Sequence, residues 1–178
     1  MTGAPNVLFF GRAGCFRSDA ALTHIQALGF QVEVVISSTS GEPLPAWVYQ
    51  WCGDWIFCFR SYYILPDSVI ASAKTGAINF HPGPSNARGR GCLNFALYEG
   101  AKEYGVTTHI IEAEVDSGPI IRCDLFPIFP GDDVDSLLQR THHQLLSSFY
   151  DIVSGIRCAG RAYVDELLQT CDVTWSGP

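Results

Sequence analysis

Three polar residues in the middle of the chain are of types that could do acid–base chemistry together. Asn79 and His81 lie at the end of a short apolar run, residues 77–82, which predicts a strand that enters a loop rich in proline and glycine. Asp116 follows a second strand-like run, residues 106–111. In open α/β sheets, ligands sit at the carboxyl ends of the strands. We therefore expect the two strand ends to bring an amide donor, a titratable base and a carboxylate into one crevice.

Other polar clusters have simpler explanations. A lone histidine beside a strand is more often a satisfied structural residue than a catalyst, and we assign that role to His24, His109, His142 and His143. Three acidic residues stand where a helix should begin and are expected to cap it and complement its dipole: Asp132, Asp133 and Asp135. The sequence has no defensible metal-ligand spacing and no recognisable nucleophile motif. We expect no metal.

Short apolar runs that alternate with helical patterns predict an α/β fold, with a mostly parallel central sheet flanked by helices. Residues 7–10 are apolar throughout, as expected of a central strand. Ser18 is a plausible N-cap for a helix over 19–28. Further strands are predicted at 30–36, 55–59, 77–81, 106–111 and 120–128. Further helices are predicted at 66–73, 93–98 and 133–154, the last with Gly155 as its C-cap, and a short ordered piece at 163–168.

Length and charge limit the function classes. At 178 residues the chain is expected to form one domain, residues 1–178, with a peripheral C-terminal stretch. Its net charge is −7 and it has no run of lysine or arginine, so we expect no nucleic-acid partner. No apolar run approaches the ~18 residues that a membrane span requires. The sequence therefore favours a small-molecule substrate.

The cysteines indicate the compartment. Seven cysteines are scattered without a C-x-x-C pair, and the N-terminus has no signal-peptide pattern. Such usage is typical of a reducing cytoplasm. We expect a cytoplasmic protein with free, mostly buried thiols.

Two basic loops are candidates for substrate contacts. Gly11, Arg12 and Arg17 lie between the first strand and the first helix, where backbone amides and two arginines could cradle a phosphate. A bare tight turn is the alternative. Arg88 and Arg90 belong to a second loop that could also meet a phosphate, and solvated arginines are the alternative there.

Four segments form a pattern in a consistent order and spacing: INFHP at 78–82, RGRG at 88–91, GVT at 105–107 and VDSGPI at 115–120. This pattern resembles the formyltransferase domain that uses 10-formyltetrahydrofolate, which is shared by enzymes acting on glycinamide ribonucleotide, methionyl-tRNA, amino sugars and formyltetrahydrofolate itself. The resemblance implies a Rossmann-like sheet and a catalytic triad of Asn79, His81 and Asp116. It also implies a folate site formed by eight residues: Ser61, Tyr63, Ile64, Leu65, Glu112, Ala113, Glu114 and Val115.

The chain departs from the family pattern after His81. The usual serine-leucine-leucine-proline is replaced by Gly-Pro-Ser-Asn-Ala at 83–87, which alters the substrate side of the cleft. The 178 residues do not include the C-terminal domain that tRNA and many sugar enzymes of the family carry, and the net charge is acidic, so we expect that tRNA is not the acceptor.

The resemblance implies an N-formyltransferase that moves the formyl group of 10-formyltetrahydrofolate to a primary amine of a small molecule. A nucleotide-linked amino sugar is the preferred acceptor, because the arginines of the two basic loops could meet its phosphates. The alternatives are a formyltetrahydrofolate hydrolase, a formyl module acting on an amino acid or carrier-bound amine, and an inactive folate-binding protein. A homodimer is possible, because the long helix at 133–154 could pair with a copy of itself.

Overall fold

The structure is a computed structural model that describes residues 3–89 and 92–176. Within these ranges one mixed sheet contains six strands: β1 (Asn6–Arg12), β2 (Gln31–Ser37), β3 (Gly53–Phe59), β4 (Ala73–His81), β5 (Glu103–Ile110) and β6 (Ile120–Pro127). Their spatial order is β2-β1-β3-β4-β5-β6. The first four strands are parallel, and β5 runs antiparallel to both of its neighbours. The predicted mostly parallel sheet is confirmed.

The helices flank this sheet. They are α1 (Phe16–Ala27), α2 (Asp67–Ile70), α3 (Cys92–Tyr98), α4 (Val134–Ala159) and α5 (Arg161–Thr170), with a 3₁₀ helix at Ala46–Gln50. In the part of the chain that the structure describes, none of them combines the length and hydropathy of a bilayer-crossing segment.

Side chains alternate between two hydrophobic clusters, one on each face of the sheet. Val7 and Phe9 of β1 belong to the larger cluster, and Leu8 and Phe10 belong to the smaller one. This alternation follows from the two-residue repeat of a strand. All four side chains are fully buried, which confirms 7–10 as a central strand. The larger cluster is completed by α4, whose Phe149 ring packs against several phenylalanines of the sheet.

The N-terminus of α4 is capped as predicted, but the helix ends later than predicted. The Asp133 carboxylate accepts a hydrogen bond from the backbone N–H of Ser136, and the Ser136 hydroxyl accepts one from the N–H of Asp133. Gly155 is not the C-cap, because α4 continues to Ala159. A Cβ at Gly155 would lie 2.2 Å from the Tyr163 ring. Glycine is therefore required there for the close packing of α5 on α4.

Two further expectations for local structure were wrong. Ser18 does not cap α1, since the helix begins at Phe16 and the buried Ser18 hydroxyl accepts a hydrogen bond from the N–H of Arg12 at 3.0 Å.

The six cysteines whose side chains are described are free, as expected, but only Cys58 is buried. Burial raises the pKa of the Cys58 thiol, which makes it a poor nucleophile.

Candidate active site

Strand β4 presents Asn79 and His81 on one face at its carboxyl end. The two residues are separated by one position, so their side chains point the same way. In the antiparallel pairing with β5, Asn79 lies opposite His109 and His81 lies opposite Thr107. Only 4% of His81 is exposed, so the imidazole is held away from bulk water.

Asp116 lies beside Asn79 and His81, but not because β4 and β5 end at the same edge of the sheet, as the sequence suggested. Because β5 is antiparallel, its carboxyl end lies beside Ile78 in the middle of β4 and not beside His81. The Asp116 loop, residues 111–119, turns back toward the end of β4. It begins with a hydrogen bond from the Ile111 N–H to the Ala77 carbonyl and closes with one from the Ile110 N–H to the Pro119 carbonyl.

The Asp116 carboxylate is the centre of the cluster. Its Oδ2 lies 3.3 Å from His81 Nδ1 and accepts a hydrogen bond from the backbone N–H of Gly89 at 3.0 Å. Its Oδ1 lies 3.3 Å from His109 Nε2 and 3.4 Å from Asn79 Nδ2. The structure therefore brings Asn79, His81 and Asp116 together and adds His109 to them.

His109 belongs to the cluster, although its sequence context predicts a structural role. Asn79 Nδ2 lies 3.1 Å from His109 Nε2, and the His109 Nδ1–H donates to the Ile110 carbonyl at 2.7 Å. The available signal was a titratable residue within the strand-like run 106–111. That signal could not show that β5 lies antiparallel beside β4, which is what places this ring against the carboxylate.

The cluster favours an ionised Asp116 beside a buried imidazole. Burial by itself would raise the pKa of Asp116, but the hydrogen bond from His109, the charge of His81 and the Gly89 N–H together lower it to about 2. Burial lowers the pKa of His81, against the opposing effects of Asp116 and the Ala87 carbonyl. His81 Nε2 donates to the Ala87 carbonyl at 2.8 Å. The Nδ1 atom can therefore donate to Asp116 only when the ring is doubly protonated.

A cavity of about 630 Å³ adjoins the cluster. Asn79, His81, His109 and Asp116 all lie in its wall. The wall also contains all eight predicted folate-site residues: Ser61, Tyr63, Ile64, Leu65, Glu112, Ala113, Glu114 and Val115. Its volume is in the range of small-molecule sites.

Two arginines and a histidine form a basic part of the same wall. Arg12 and Arg60 line the cavity together with His142. Arg60 follows β3 with a left-handed backbone (φ 59°), and its Nη1 lies 3.0 Å from His142 Nδ1. Burial and the charges of Arg60, Arg17 and Arg12 lower the pKa of His142 to about 3, so His142 is neutral and accepts the Arg60 hydrogen bond. Arg60 is not among the substrate contacts predicted from the sequence, and His142 is predicted there to be structural.

The other predicted substrate contacts lie elsewhere. Arg17 does not line the cavity and donates to the Gln139 side chain at 2.6 Å. Gly11 is buried in β1, where a Cβ would lie 2.5 Å from the Ser18 hydroxyl, so close packing requires this glycine. The Arg88 guanidinium lies 5.6 Å from the centre of the Trp175 ring. Arg90 lies outside the described residues.

Among residues 3–89 and 92–176, no group of three or more His, Cys, Asp or Glu side chains is arranged to hold a metal ion.

The fold and the site define an α/β domain with a small-molecule cavity and a carboxylate–imidazole cluster at the end of a central strand. The profile of the family described as Formyl transferase matches residues 48–153. The chain belongs to this formyl transferase family.

Relatives among known sequences are formyltransferases and a purine biosynthetic protein. Methionyl-tRNA formyltransferase of Enterococcus faecalis is 31% identical over 123 residues, which is 68% of this chain and 38% of that protein. Methionyl-tRNA formyltransferase of Chlorobium phaeovibrioides is 38% identical over 86 residues, 48% of this chain and 27% of that protein. The trifunctional purine biosynthetic protein adenosine-3 of Chironomus tentans is 29% identical over 123 residues, 68% of this chain and 9% of that protein. The matched region is less than half of each relative.

Solved structures share the fold. The N-formyltransferase of Helicobacter canadensis, in complex with folinic acid and dTDP-3-aminofucose, superposes with a TM-score of 0.71 at 17% identity over 86% of this chain and 64% of that chain. Phosphoribosylglycinamide formyltransferase of Anaplasma phagocytophilum gives a TM-score of 0.67 at 19% identity over 86% of each chain. These superpositions confirm the formyltransferase-type fold that the sequence predicted.

Proposed function

We propose that the chain catalyses transfer of a formyl group from 10-formyltetrahydrofolate to a primary amine of a small molecule. One observation carries the proposal: the Asn79, His81 and Asp116 cluster and all eight residues of the predicted folate site line a single cavity. A formyl donor held by those eight residues would lie in the same cavity as groups suited to acyl transfer. Relatives of this chain are formyltransferases by name, which supports the same reaction.

The donor site has the composition expected for a flat heterocycle with a polar tail. Tyr63, Ile64 and Leu65 supply apolar and aromatic surface, while the main chain of the Asp116 loop offers hydrogen-bonding groups. The Tyr63 ring is fixed by an edge contact with Phe10, whose centroid lies 6.0 Å away. The Helicobacter canadensis enzyme is described with folinic acid, a formyl-bearing folate, which supports a folate donor here.

The reaction requires an oxyanion donor and a proton acceptor. The amine attacks the formyl carbon, a new C–N bond forms, and negative charge develops on the formyl oxygen before the bond to the folate nitrogen breaks. Asn79 and His81 are the donors assigned to that oxygen, a contact worth about 3 kcal/mol per donor in known acyl-transfer sites. In the structure Asn79 donates to the Asp116 carboxylate and His81 donates to the Ala87 carbonyl, so the oxygen must replace one of those acceptors.

Asp116 is assigned to the proton. The attacking amine loses a proton and the leaving folate nitrogen gains one, so the net reaction consumes neither acid nor base. The lowered pKa keeps Asp116 ionised at neutral pH, so its carboxylate has free lone pairs that can accept that proton, directly or through one ordered water. His109 keeps the carboxylate in place and is a positioning residue.

The acceptor is proposed to carry an anionic group, with a nucleotide-linked amino sugar as the preferred class. Arg12 and Arg60 line the cavity, and no carboxylate lies within 4.0 Å of either guanidinium among the described residues. In a chain of net charge −7, uncompensated arginines in a cavity wall are suited to phosphate or carboxylate. A neutral His142 holds Arg60 without cancelling its charge.

The test is an incubation with 10-formyltetrahydrofolate and a panel of amines: nucleotide-linked amino sugars, a phosphoribosyl amine, free amino acids and no amine. Mass spectrometry measures the N-formyl product, and absorbance measures tetrahydrofolate. We expect both products in equal amounts with a phosphate-bearing amine. Tetrahydrofolate and formate without any amine would identify a hydrolase. No tetrahydrofolate under any condition would refute transfer.

A matched pair of variants tests the anionic acceptor. Arg60→Ala should raise the KM for a phosphate-bearing amine by about 10-fold or more, the cost of one hydrogen bond to a charged group, with a smaller effect on kcat. Lys74→Ala removes the same charge from an exposed position at the opposite end of β4 and is the control. Equal KM values for the two variants would contradict the assignment of Arg60.

A further inference from the structure

A short segment after α5 returns to the candidate active site. Helix α5 ends at Thr170, and residues 171–176 then lie across the edge of the cluster. Trp175 is half-buried there. It does not itself line the cavity.

Two neighbouring residues of this segment connect the two loops that complete the cluster. The indole Nε1–H of Trp175 donates to the Gly118 carbonyl at 2.7 Å, within the Asp116 loop. The backbone N–H of Ser176 donates to the Ser85 carbonyl at 3.0 Å. Ser85 belongs to the His81 loop, residues 82–89, whose Ala87 carbonyl accepts the His81 Nε2–H bond. The segment therefore links the loop behind the carboxylate to the loop behind the imidazole.

The indole ring also contacts both histidines. Its centre lies 5.1 Å from that of His109 and 5.9 Å from that of His81, each in an edge-on arrangement. The Arg88 guanidinium lies on the same ring. Such contacts restrict ring rotation, because edge-on aromatic pairs are favoured over other orientations. The electron-rich indole face also attracts a nearby cation.

We propose that Trp175 is a positioning residue for formyl transfer, which ties the His81 loop to the Asp116 loop and fixes both imidazoles against the carboxylate. The inference rests on the proposed function. Because Trp175 contacts the two imidazoles and does not itself line the cavity, it should affect kcat and leave the KM for the folate donor unchanged. A misplacement of about 1 Å in such a site can cost on the order of 100-fold in rate.

The kinetic test compares Trp175→Ala with Trp175→Phe. We expect Trp175→Ala to lower kcat by on the order of 100-fold. Trp175→Phe should lower kcat less, because it keeps a ring against the imidazoles. It should not restore kcat fully, because it lacks the N–H group. Trp47→Phe is the control, since Trp47 lies in the 3₁₀ helix, is 40% exposed and does not line the cavity. A Trp175→Ala variant with the kcat of the native protein would overturn the proposal.

A fluorescence test is independent of activity. A protonated imidazole quenches a neighbouring indole, so the emission of the native protein minus that of Trp175→Phe should fall as pH is lowered below about 6.5, the ordinary value from which burial lowers the pKa of His81. The charged and titratable groups near the indole are His81, His109, Asp116 and Arg88. Asp116→Asn removes the negative charge that favours protonation of His81, so the midpoint of the fall should move to lower pH.

The two tests separate this inference from the proposed function. If the native protein transfers no formyl group, the proposed function is refuted, and the fluorescence difference then decides by itself whether Trp175 lies against the imidazole of His81. A difference emission that stays constant over the whole pH range would place the indole elsewhere. A Trp47→Phe difference with the same pH dependence would likewise exclude a specific contact.

Discussion

His109 Nε2 lies 3.3 Å from Asp116 Oδ1, on the carboxylate oxygen opposite to the one that faces His81. The carboxylate is thus held between two imidazoles, one on each oxygen. Asn79 Nδ2 donates to Asp116 Oδ1 and lies 3.1 Å from His109 Nε2, so the amide is part of the same network. A network of this kind fixes the direction of each group, because moving one member breaks hydrogen bonds to the others.

The three predicted catalytic residues should each be essential. Asn79→Ala, His81→Ala and Asp116→Ala are expected to lower kcat by two or more orders of magnitude, in line with the loss of an oxyanion donor or a proton acceptor. Circular dichroism and thermal unfolding should show that each variant remains folded. Near-normal turnover in all three would end the proposed mechanism.

Loss of His109 should change the pH profile as well as the rate. His109→Phe keeps a ring but removes the hydrogen bond that lowers the pKa of Asp116, so that pKa rises. Activity depends on the ionised carboxylate and is lost as pH falls through its pKa, so the acid limb of kcat/KM should move to higher pH. The rate should fall by on the order of 10-fold, the cost of one hydrogen bond to a charged group.

The control for this variant is His24→Phe. His24 lies 3.0 Å from the Ser154 hydroxyl and does not line the cavity. An acid limb that shifts equally in both variants would contradict the specific contact between His109 and Asp116.

Gly83 should tolerate no side chain. A Cβ at this position would lie 2.6 Å from His81 Nε2 and 2.9 Å from the Ala87 carbonyl. Gly83→Ala should therefore displace the imidazole, lowering kcat strongly and stability by about 1–3 kcal/mol, as overpacking does. Gly131→Ala, where a Cβ would meet no atom within 4 Å, is the control and should change neither. Equal kcat and melting temperature in the two variants would contradict this packing.

Acid should destabilise the fold partly through His142. Its pKa is about 3 in the folded chain against 6.5 for a free imidazole, so the unfolded chain binds the extra proton first. Stability should therefore fall as pH drops from about 6.5 toward 3, and Asp116 adds a further loss as pH drops from 3.8 toward 2. His142→Gln should reduce the loss of melting temperature between pH 6.5 and 4. The exposed His143 on the same helix provides the control, His143→Gln, and an identical slope in both variants would contradict the assignment to His142.

Local sequence determined the elements and half of the site. The apolar runs predicted the strands, because a strand covered on both faces needs apolar side chains at consecutive positions. The two-residue spacing of Asn79 and His81 placed both on one face of β4, since side chains alternate along a strand. The motif pattern predicted site roles for Asp116 and for eight further residues, and all nine lie in the cavity wall.

The ends of elements were less predictable. The continuation of α4 past Gly155 depends on the Tyr163 ring, which packs where a side chain would otherwise lie. Helix α1 starts before Ser18, and the Ser18 hydroxyl accepts a hydrogen bond from the Arg12 N–H instead of capping the helix. In each case a contact with a residue outside the helix accompanies the boundary. The periodicity of apolar residues along the helix does not predict such a contact.

Only the tertiary structure decided which residues complete the site. His109 faces Asp116 because β5 is antiparallel to β4, and a strand's direction depends on its neighbours and not on its own pattern. Arg60 meets His142 across 82 positions in the chain, and Trp175 meets Gly118 across 57. Residue types and short-range spacing determined which groups could react. Long-range packing determined their partners, because a contact between distant segments forms only when the whole sheet and its helices bury their apolar faces together.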